Sequence, residues 1–286
     1  MNKYRFSLIA LTLLFIGCGG DNIESNPSES NPSQSNPKTI KEATKNLNAF
    51  NSFKSIKFPS ADASKNRNKL LTSKGLYDFQ NIQTSTPCAG GGTISVEISE
   101  DAKTTTNSFN QCQNGTTFMN GKIITNQDDN NNYSVKYDKL TFKADDVTQY
   151  MNMNMGIKEN GPVTTLTMNG IIRQTFASDE INEISMKNLI SEDYETESES
   201  WSKINGEMAF KGKCFSGSYQ FNTIKELVDA KDGSENIESG VLELNGATYT
   251  FKNPDVTIKV GNESKTMLQS KLEEEMEAEI ESGCNI

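Results

Sequence analysis

The chain has 286 residues and is acidic, with 38 Asp and Glu against 28 Lys and Arg, and it contains no histidine. The missing histidine excludes Ser-His-Asp and Cys-His nucleophilic catalysis and nearly every zinc site built from protein ligands. The net charge of -10 argues against nucleic acid and anionic lipid headgroups as partners, because both would be repelled.

Residues 1–17 predict a secretory signal peptide. Lys3 and Arg5 precede an apolar run at residues 6–16, which ends at Gly17 and Cys18. As a helix rising about 1.5 Å per residue, this run covers only ~17 Å, which is too short for a hydrocarbon core of ~30 Å. We therefore expect the segment to be cleaved rather than retained in the membrane.

The segment Leu14-Phe15-Ile16-Gly17-Cys18 resembles the lipobox of bacterial lipoproteins. The resemblance implies that Cys18 receives a diacylglycerol, becomes the mature N-terminus and carries acyl chains such as palmitate. Two or more chains anchor a protein stably, since each buried methylene contributes ~0.8 kcal/mol. Because Gly19 rather than Asp follows the cysteine, the resemblance implies the outer membrane, facing the periplasm or the cell surface. An ordinary secretory cleavage site beside a coincidental cysteine is the alternative.

Residues 18–38 predict a disordered spacer after the lipid anchor. A five-residue pattern recurs there as SNPSE, SNPSQ and SNP, and it offers no apolar side chain to bury. When extended at about 3.1 Å per residue, such a spacer could hold a domain up to ~60 Å from the bilayer. Residues 39–286 then form a single β-rich domain, which is long enough to bury one large core.

Short helices are predicted at both ends of that domain. Thr39 and Glu42 form a capping-box pattern, and apolar residues follow at helical spacing, namely Ile40, Ala43, Leu47 and Phe50. Near the C-terminus, apolar residues fall every four positions among glutamates, and Gly283 is expected to follow the last helical residue. The apolar residues are Leu268, Leu272, Met276 and Ile280.

Between the helices, apolar and polar residues alternate as they do in half-buried strands. Examples are residues 93–98, 133–137 and 241–244. The predicted fold is mainly β: one large, curved antiparallel sheet, partly closed and half-barrel-like, with short N- and C-terminal helices. A sandwich is the alternative.

An apolar residue followed by Asn-Gly recurs within strand-like sequence, which predicts a degenerate repeat of about 40 residues. The Asn-Gly pairs are Asn120-Gly121, Asn169-Gly170, Asn205-Gly206 and Asn245-Gly246. Each could be a hairpin turn or a bulge that bends a strand. We favour the bend, because β-type residues continue on both sides and clearer turns lie at residues 128–132 and 232–233.

Four cysteines follow Cys18, and in an exported chain they predict disulfides among Cys88, Cys112, Cys214 and Cys284. Three pairings are possible. We favour Cys88 with Cys112, which bracket a hairpin-length segment, and Cys214 with Cys284 in the C-terminal half. The segments Cys88-Ala89-Gly90-Gly91 and Phe118-Met119-Asn120-Gly121, with Cys112 between them, resemble uncharacterised exported and lipid-anchored bacterial β proteins, a resemblance that implies no particular activity.

Three segments carry weak candidate sites, and each has a structural alternative. Met151, Met153 and Met155 place three thioethers on one face, which suits Cu(I) but also suits a core strand. Residues 128–132 offer oxygen ligands for calcium but lack the EF-hand Gly and Glu, which favours a solvated hairpin loop. The acidic run at residues 192–199 beside Trp201 could be a binding surface or a charged strand edge that prevents aggregation.

The sequence thus favours a non-enzymatic envelope lipoprotein with a binding or structural role and no cofactor. A curved sheet would resemble half-barrel carriers of acyl chains, which implies a hydrophobic ligand or an envelope component as partner. The alternative is a hydrolase that uses a carboxylate pair on envelope glycans. With 38 Asp and Glu residues to choose from, the sequence selects no pair.

Overall fold

A continuous meander of strands makes up most of the structure. The computed structural model describes residues 36–55, 85–101, 103–128, 132–144, 146–178, 181–212, 216–231 and 236–284. In them, 14 antiparallel strands form one sheet whose spatial order is the sequence order. The sheet is not closed, most of the described residues lie in its strands, and two short helices accompany it, which confirms the predicted mainly β fold.

Each strand pairs with its neighbours in sequence, without a crossover. Strands β5 to β10 are the longest, at 12 to 15 residues. The elements are α1 (Ile40–Ser55), β1 (Thr86–Pro87), β2 (Thr93–Ile98), β3 (Thr104–Asn114), β4 (Thr117–Gln127), β5 (Tyr133–Ala144), β6 (Val147–Asn160), β7 (Val163–Phe176), β8 (Ile181–Glu195), β9 (Ser200–Lys211), β10 (Gly217–Asp229), β11 (Ile237–Leu244), β12 (Ala247–Lys252), β13 (Asp255–Val260), β14 (Glu263–Leu268) and α2 (Gln269–Cys284).

One face of the sheet carries the hydrophobic core, and we call it the inner face. Its side chains alternate along each strand with exposed ones, as where buried Met151 and Met153 flank exposed Asn152. Both helices join this core, α1 through Leu47 and α2 through Leu272 among others. Helix α1 lies against β11, β13, β14 and α2, so it covers the C-terminal part of the sheet.

The start of α1 confirms the predicted capping pattern. The Thr39 hydroxyl accepts a hydrogen bond from the Glu42 N–H at 3.2 Å, and the Glu42 carboxylate accepts one from the Lys38 N–H at 2.5 Å. One turn later, the Tyr249 hydroxyl donates to the Ala43 carbonyl oxygen at 2.7 Å. Burial raises the pKa of Tyr249, so the phenol stays protonated and keeps its donor role.

Helix α2 differs in detail from the sequence prediction. Leu268 ends β14 and is half exposed, whereas Leu272 and Met276 are buried. Gly283 lies within the helix, which extends to Cys284, rather than after its end. The first helical residue, Gln269, is buried and fixes the helix to β11, because its side-chain amide accepts from the Ile237 N–H and donates to the Ile237 carbonyl oxygen, both at 2.9 Å.

Three of the four Asn-Gly pairs bend strands, and the fourth forms a turn. Gly121, Gly170 and Gly206 lie inside β4, β7 and β9 with φ of 113°, 133° and 118°. Asn245-Gly246 joins β11 to β12. A Cβ on Gly170 would lie 2.3 Å from the backbone oxygen of Asn152 on β6, so only glycine allows this approach of the two strands.

The asparagine of each pair satisfies a backbone donor on a neighbouring strand. In β4, β7 and β9 its Oδ1 accepts from a residue of a β-bulge, where the register of the ladder shifts. The bonds are Gln111 N–H to Asn120 at 3.1 Å, Asn188 N–H to Asn169 at 2.6 Å and Thr223 N–H to Asn205 at 3.0 Å. Bulges bend strands and increase their twist, so the motif shapes the sheet.

The motif does not divide the sheet into equal units. It recurs after three strands, from β4 to β7, and then after two, from β7 to β9. The regularity lies in the local pairing of an Asn-Gly strand with a bulged neighbour, rather than in the number of strands per unit.

Candidate functional site on the inner face

The centre of the inner face is a largely apolar surface across β6 to β9, with Ser191 as its buried polar side chain between Leu166 and Ile204. Its buried side chains come from positions that face each other across the ladders. They are Met151, Met153, Met155, Leu166, Met168, Ile172, Ile184, Met186, Leu189, Ile204, Met208 and Phe210. The most extensive contacts of α1 with the sheet are instead with β11, β13 and β14.

Methionine is concentrated on this face. Apart from Met1, the sequence has nine methionines; eight are buried in the core cluster and the ninth, Met119, is partly buried against it. An unbranched thioether side chain has several accessible conformations and adapts to partners of different shape. The composition of the inner face therefore favours adaptable apolar contact over one rigid packing arrangement.

At one end of this surface, two amides face each other on β6 and β7. Gln149 and Gln174 are directly paired in the ladder and are 9% and 6% exposed. Buried amides need hydrogen-bond partners, so they give this end a fixed polar boundary.

The opposite end carries acids and hydroxyls. Glu159, Thr164, Asp193 and Ser202 form one cross-strand row on β6, β7, β8 and β9. On β10, Asp229 accepts a hydrogen bond from the Ser200 hydroxyl at 2.6 Å. Alternation along the strands places these side chains on the inner face, so the apolar surface ends in an acidic rim.

Within the acidic rim, Asp193 has a raised pKa. Burial raises the pKa of Asp193, the nearby Asp229 carboxylate raises it further, and a hydrogen bond from the Ser191 hydroxyl at 3.2 Å opposes the rise. One carboxylate oxygen of Glu159 is buried, and it has no hydrogen-bond partner within the described part of the chain.

Basic residues of β6 to β9 lie on the other face of the sheet. By the alternation of the strands, the outer face carries Lys158, Arg173, Lys187, Lys203 and Lys211. Several of them form ion pairs there, including Arg173 with Glu183 at 2.6 Å and Lys203 with Glu226 at 3.0 Å. Charge is therefore segregated, and no cation on these four strands neutralises the acidic rim.

The candidate copper ligands lie in the middle of the inner face. Met151, Met153 and Met155 are 8%, 5% and 8% exposed and face Ile172, Gly170 and Met168 on β7. They thus pack in a core strand, the structural alternative that the alternating pattern also predicted. Among the described residues, no group of three His, Cys, Asp or Glu side chains is arranged to hold a metal ion.

The structure confirms one of the two favoured disulfides. Cys88 and Cys112 are bonded, which fixes the turn after β1 to the end of β3. The same turn is held by reciprocal backbone hydrogen bonds, from Gly90 N–H to Gln113 at 2.8 Å and from Gln113 N–H to Gly91 at 2.9 Å. Cys18 and Cys214 lie outside the described residues, as does the side chain of Cys284, so the second pairing and the lipidation site stay predictions.

The acidic run at residues 192–199 does not lie on a sheet edge. It ends β8, which is flanked by β7 and β9, and continues into the turn before β9. The prediction of a protective strand edge was therefore wrong. On the outer face there, Tyr194 stacks on Trp201 with ring centroids 5.2 Å apart, and the Lys203 ammonium lies 4.9 Å from the Trp201 ring centroid.

The candidate calcium segment belongs to the loop between β4 and β5, as the hairpin alternative predicted. Asp128 closes the loop, because its carboxylate accepts from the Asn132 backbone N–H at 3.0 Å and from the Asn132 amide at 2.6 Å. Residues 129–131 and 232–233, where the other clear turn was predicted, lie outside the described residues.

Sequence reasoning missed the acidic rim. Asp193 and Asp229 come from different hairpins, and their positions depend on bulges in β8 and β10 that shift the alternation. The Asn-Gly pairs within β4, β7 and β9 were the available signal, since each of these marks a neighbouring strand whose alternation is broken.

Within the described ranges, no helix is both long enough and apolar enough to span a bilayer. The sequence matches no protein-family model and no curated protein.

Proposed function

We propose that the mature protein is a lipoprotein of the cell envelope, anchored in the outer membrane through Cys18. In this proposal its inner face binds a hydrophobic ligand, or the apolar part of an envelope component, without catalysing a reaction. The sequence supports the anchor through residues 14–18, and the methionine-rich inner face supports the binding role.

The largely apolar surface of β6 to β9 is the observation that carries the binding role. On β6 the apolar surface lies between Gln149 and Glu159, ten residues apart, and a strand rising about 3.4 Å per residue gives a length of roughly 34 Å. That length accommodates a long acyl or isoprenoid chain. Polar groups at both ends are suited to water or a ligand headgroup, while methionines between them adapt to the chain.

Lipid retained by the protein tests the binding role. Protein extracted from membranes under native conditions should release a co-purifying lipid detectable by mass spectrometry. Met153→Gln places a polar amide in the apolar surface and should reduce the retained lipid several-fold. The matched control Asn154→Gln changes the neighbouring, exposed position on the outer face and should leave it unchanged.

Circular dichroism and the melting temperature of both variants separate lost binding from lost folding. Repeated absence of lipid from the unsubstituted protein, or equal retention by the two folded variants, would contradict the binding role.

The anchor is tested independently of the ligand. Cys18→Ser should abolish incorporation of labelled palmitate and move the protein from the membrane fraction to the soluble fraction. A Cys88→Ser, Cys112→Ser double variant is the matched control, because it removes two cysteines of the domain and should keep the label. Persistence of the label in Cys18→Ser would exclude that residue as the anchor.

The arrangement of Asp193 and Asp229 favours the hydrolase as a second candidate function. Asp193, whose pKa is raised, lies near the Asp229 carboxylate, and glycoside hydrolysis uses two neighbouring carboxyl groups. Turnover of peptidoglycan or polysaccharide that is lost in both Asp193→Asn and Asp229→Asn, but kept in the outer-face control Glu192→Gln, would replace the non-enzymatic proposal. Absence of turnover in the unsubstituted protein would remove this second candidate.

A further inference from the structure

The chain contains two more Asn-Gly pairs, at Asn114-Gly115 and Asn160-Gly161, in addition to the four already described. The same dipeptide therefore occurs six times in one molecule, in different structural settings. Asn-Gly is chemically labile, because the glycine N–H has no adjacent side chain to shield it and can reach the asparagine side chain. Structure decides which copies can react.

Asn114 and Asn160 are the last residues of their strands, directly before two-residue hairpin turns. The first precedes the turn between β3 and β4, and the second precedes the turn between β6 and β7. Both asparagines are exposed, and a Cβ built on Gly115 or Gly161 would meet nothing within 4 Å. Among the described residues, none hydrogen-bonds to either asparagine side chain, so both amides can rotate toward the glycine nitrogen.

The other four asparagines are held by their hydrogen bonds. Asn120, Asn169 and Asn205 lie within strands, and each accepts from the N–H of a bulge residue on a neighbouring strand. Asn245 is 3% exposed; its oxygen accepts from the Gln220 N–H at 2.7 Å and its amide donates to the Ser218 carbonyl oxygen at 2.9 Å. Reaction at any of them requires these bonds to break and the local sheet to open.

We infer that Asn114 and Asn160 are sites of spontaneous deamidation, whereas the other four Asn-Gly pairs are protected. The backbone nitrogen of Gly115 or Gly161 bonds to the asparagine Cγ, ammonia leaves, and a five-membered succinimide forms. Water then adds to one of the two ring carbonyls and opens the ring to aspartate or isoaspartate. The net change is replacement of an amide by a carboxylic acid, with water consumed and ammonia released.

Each event adds one negative charge to a turn. At Asn160 this charge is added one residue after Glu159, and by strand alternation it lies on the opposite face of the sheet. Isoaspartate also inserts an extra backbone carbon into the turn. The chain thus carries two positions at which its charge and backbone change with age and without an enzyme.

Peptide mapping of the purified full-length protein tests the inference. After incubation at physiological temperature and mildly alkaline pH, mass spectrometry should find a gain of about one dalton at Asn114 and Asn160. Conversion at the four protected sites should be at least roughly tenfold slower, because local opening precedes it. In urea with the disulfide reduced, all six sites should react at comparable rates.

Asn114→Gln and Asn160→Gln are the matched variants, and each should remove the signal from its own turn alone. Conversion of the strand sites as fast as the turn sites in the folded protein would overturn the inference. The inference would also be overturned if Asn114 and Asn160 stayed intact in the folded protein but deamidated in the unfolded protein.

Discussion

Substitution of Gly170 by alanine measures how closely the bent strands approach each other. An added Cβ would lie 2.3 Å from the backbone oxygen of Asn152 and 2.4 Å from Met153 Cα, with φ at +133°. Gly161, in the turn of the same hairpin, is the control, because its φ is +60° and nothing lies within 4 Å of its Cβ position. Both substitutions incur the strain of a positive φ, but only Gly170→Ala forces two strands apart.

The two costs can be estimated separately. A positive φ costs an L-residue about 1–2 kcal/mol, which is the whole effect expected for Gly161→Ala. Overpacking adds about 1–3 kcal/mol or more, so we expect roughly 2–5 kcal/mol for Gly170→Ala. At about 2–4 °C per kcal/mol for a domain of this size, the melting temperature should fall by ~2–8 °C in the control and ~4–20 °C in the strand variant.

Thermal unfolding followed by circular dichroism, with urea denaturation as a second measure, compares the two variants. A Gly170→Ala variant as stable as Gly161→Ala would refute the close approach and, with it, the explanation of the motif.

Three further predictions concern the cysteines, the bends and the acidic rim. The Cys88→Ser, Cys112→Ser variant opens a loop of 24 residues. Its free energy of unfolding, measured by denaturant titration, should fall by about 3 kcal/mol. An unchanged denaturation midpoint would count against that stabilisation. Asn205→Ala leaves the N–H of a bulge residue without its acceptor and should lower the free energy of unfolding by about 1–3 kcal/mol. Asn205→Asp keeps an acceptor and should lower it less. Equal melting temperatures of the two variants would contradict this. The raised pKa of Asp193 means that the folded state disfavours its ionised form, and ionisation therefore destabilises the fold. This destabilisation is absent below the unfolded pKa near 3.8, develops as the pH rises from there to the folded pKa, and is complete above it. Asp193→Asn should therefore gain melting temperature relative to the unsubstituted protein at neutral pH but not at acid pH, and a gain confined to acid pH would reverse the assigned sign.

Local patterns in the sequence predicted local structure well, because alternation and capping depend on neighbouring residues. Thr39 and Glu42 identified the start of α1, and Cys88 and Cys112 were close enough in sequence to suggest their pairing. The bends were favoured over turns at the Asn-Gly pairs, and three of the four are bends.

Features that depend on register were not predictable in this way. In β8, a bulge shifts the alternation of inward-facing and outward-facing residues. Before residue 188 the even-numbered residues face inward, and after it the odd-numbered residues do. That shift places Asp193 on the inner face and Tyr194 on the outer one. The position of residues 192–199 at the end of an interior strand was also not predictable from the sequence. Whether a strand is interior depends on which strands pair with it, and composition does not encode that pairing.

The hydrogen bond from Tyr249 to Ala43 has a consequence for the order of assembly. Every strand pairs with its neighbour in sequence, so hairpins can form one after another with little loop-closure entropy. The Tyr249 contact instead joins residues 206 positions apart. Helix α1 stands at the beginning of the domain, yet its partners β11, β13, β14 and α2 come last. If the chain folds from its N-terminus during synthesis, most of the sheet therefore forms before α1 has a surface against which to pack. Removal of the final hairpin and α2 should leave locally paired strands and an N-terminal helix that has lost most of its packing partners.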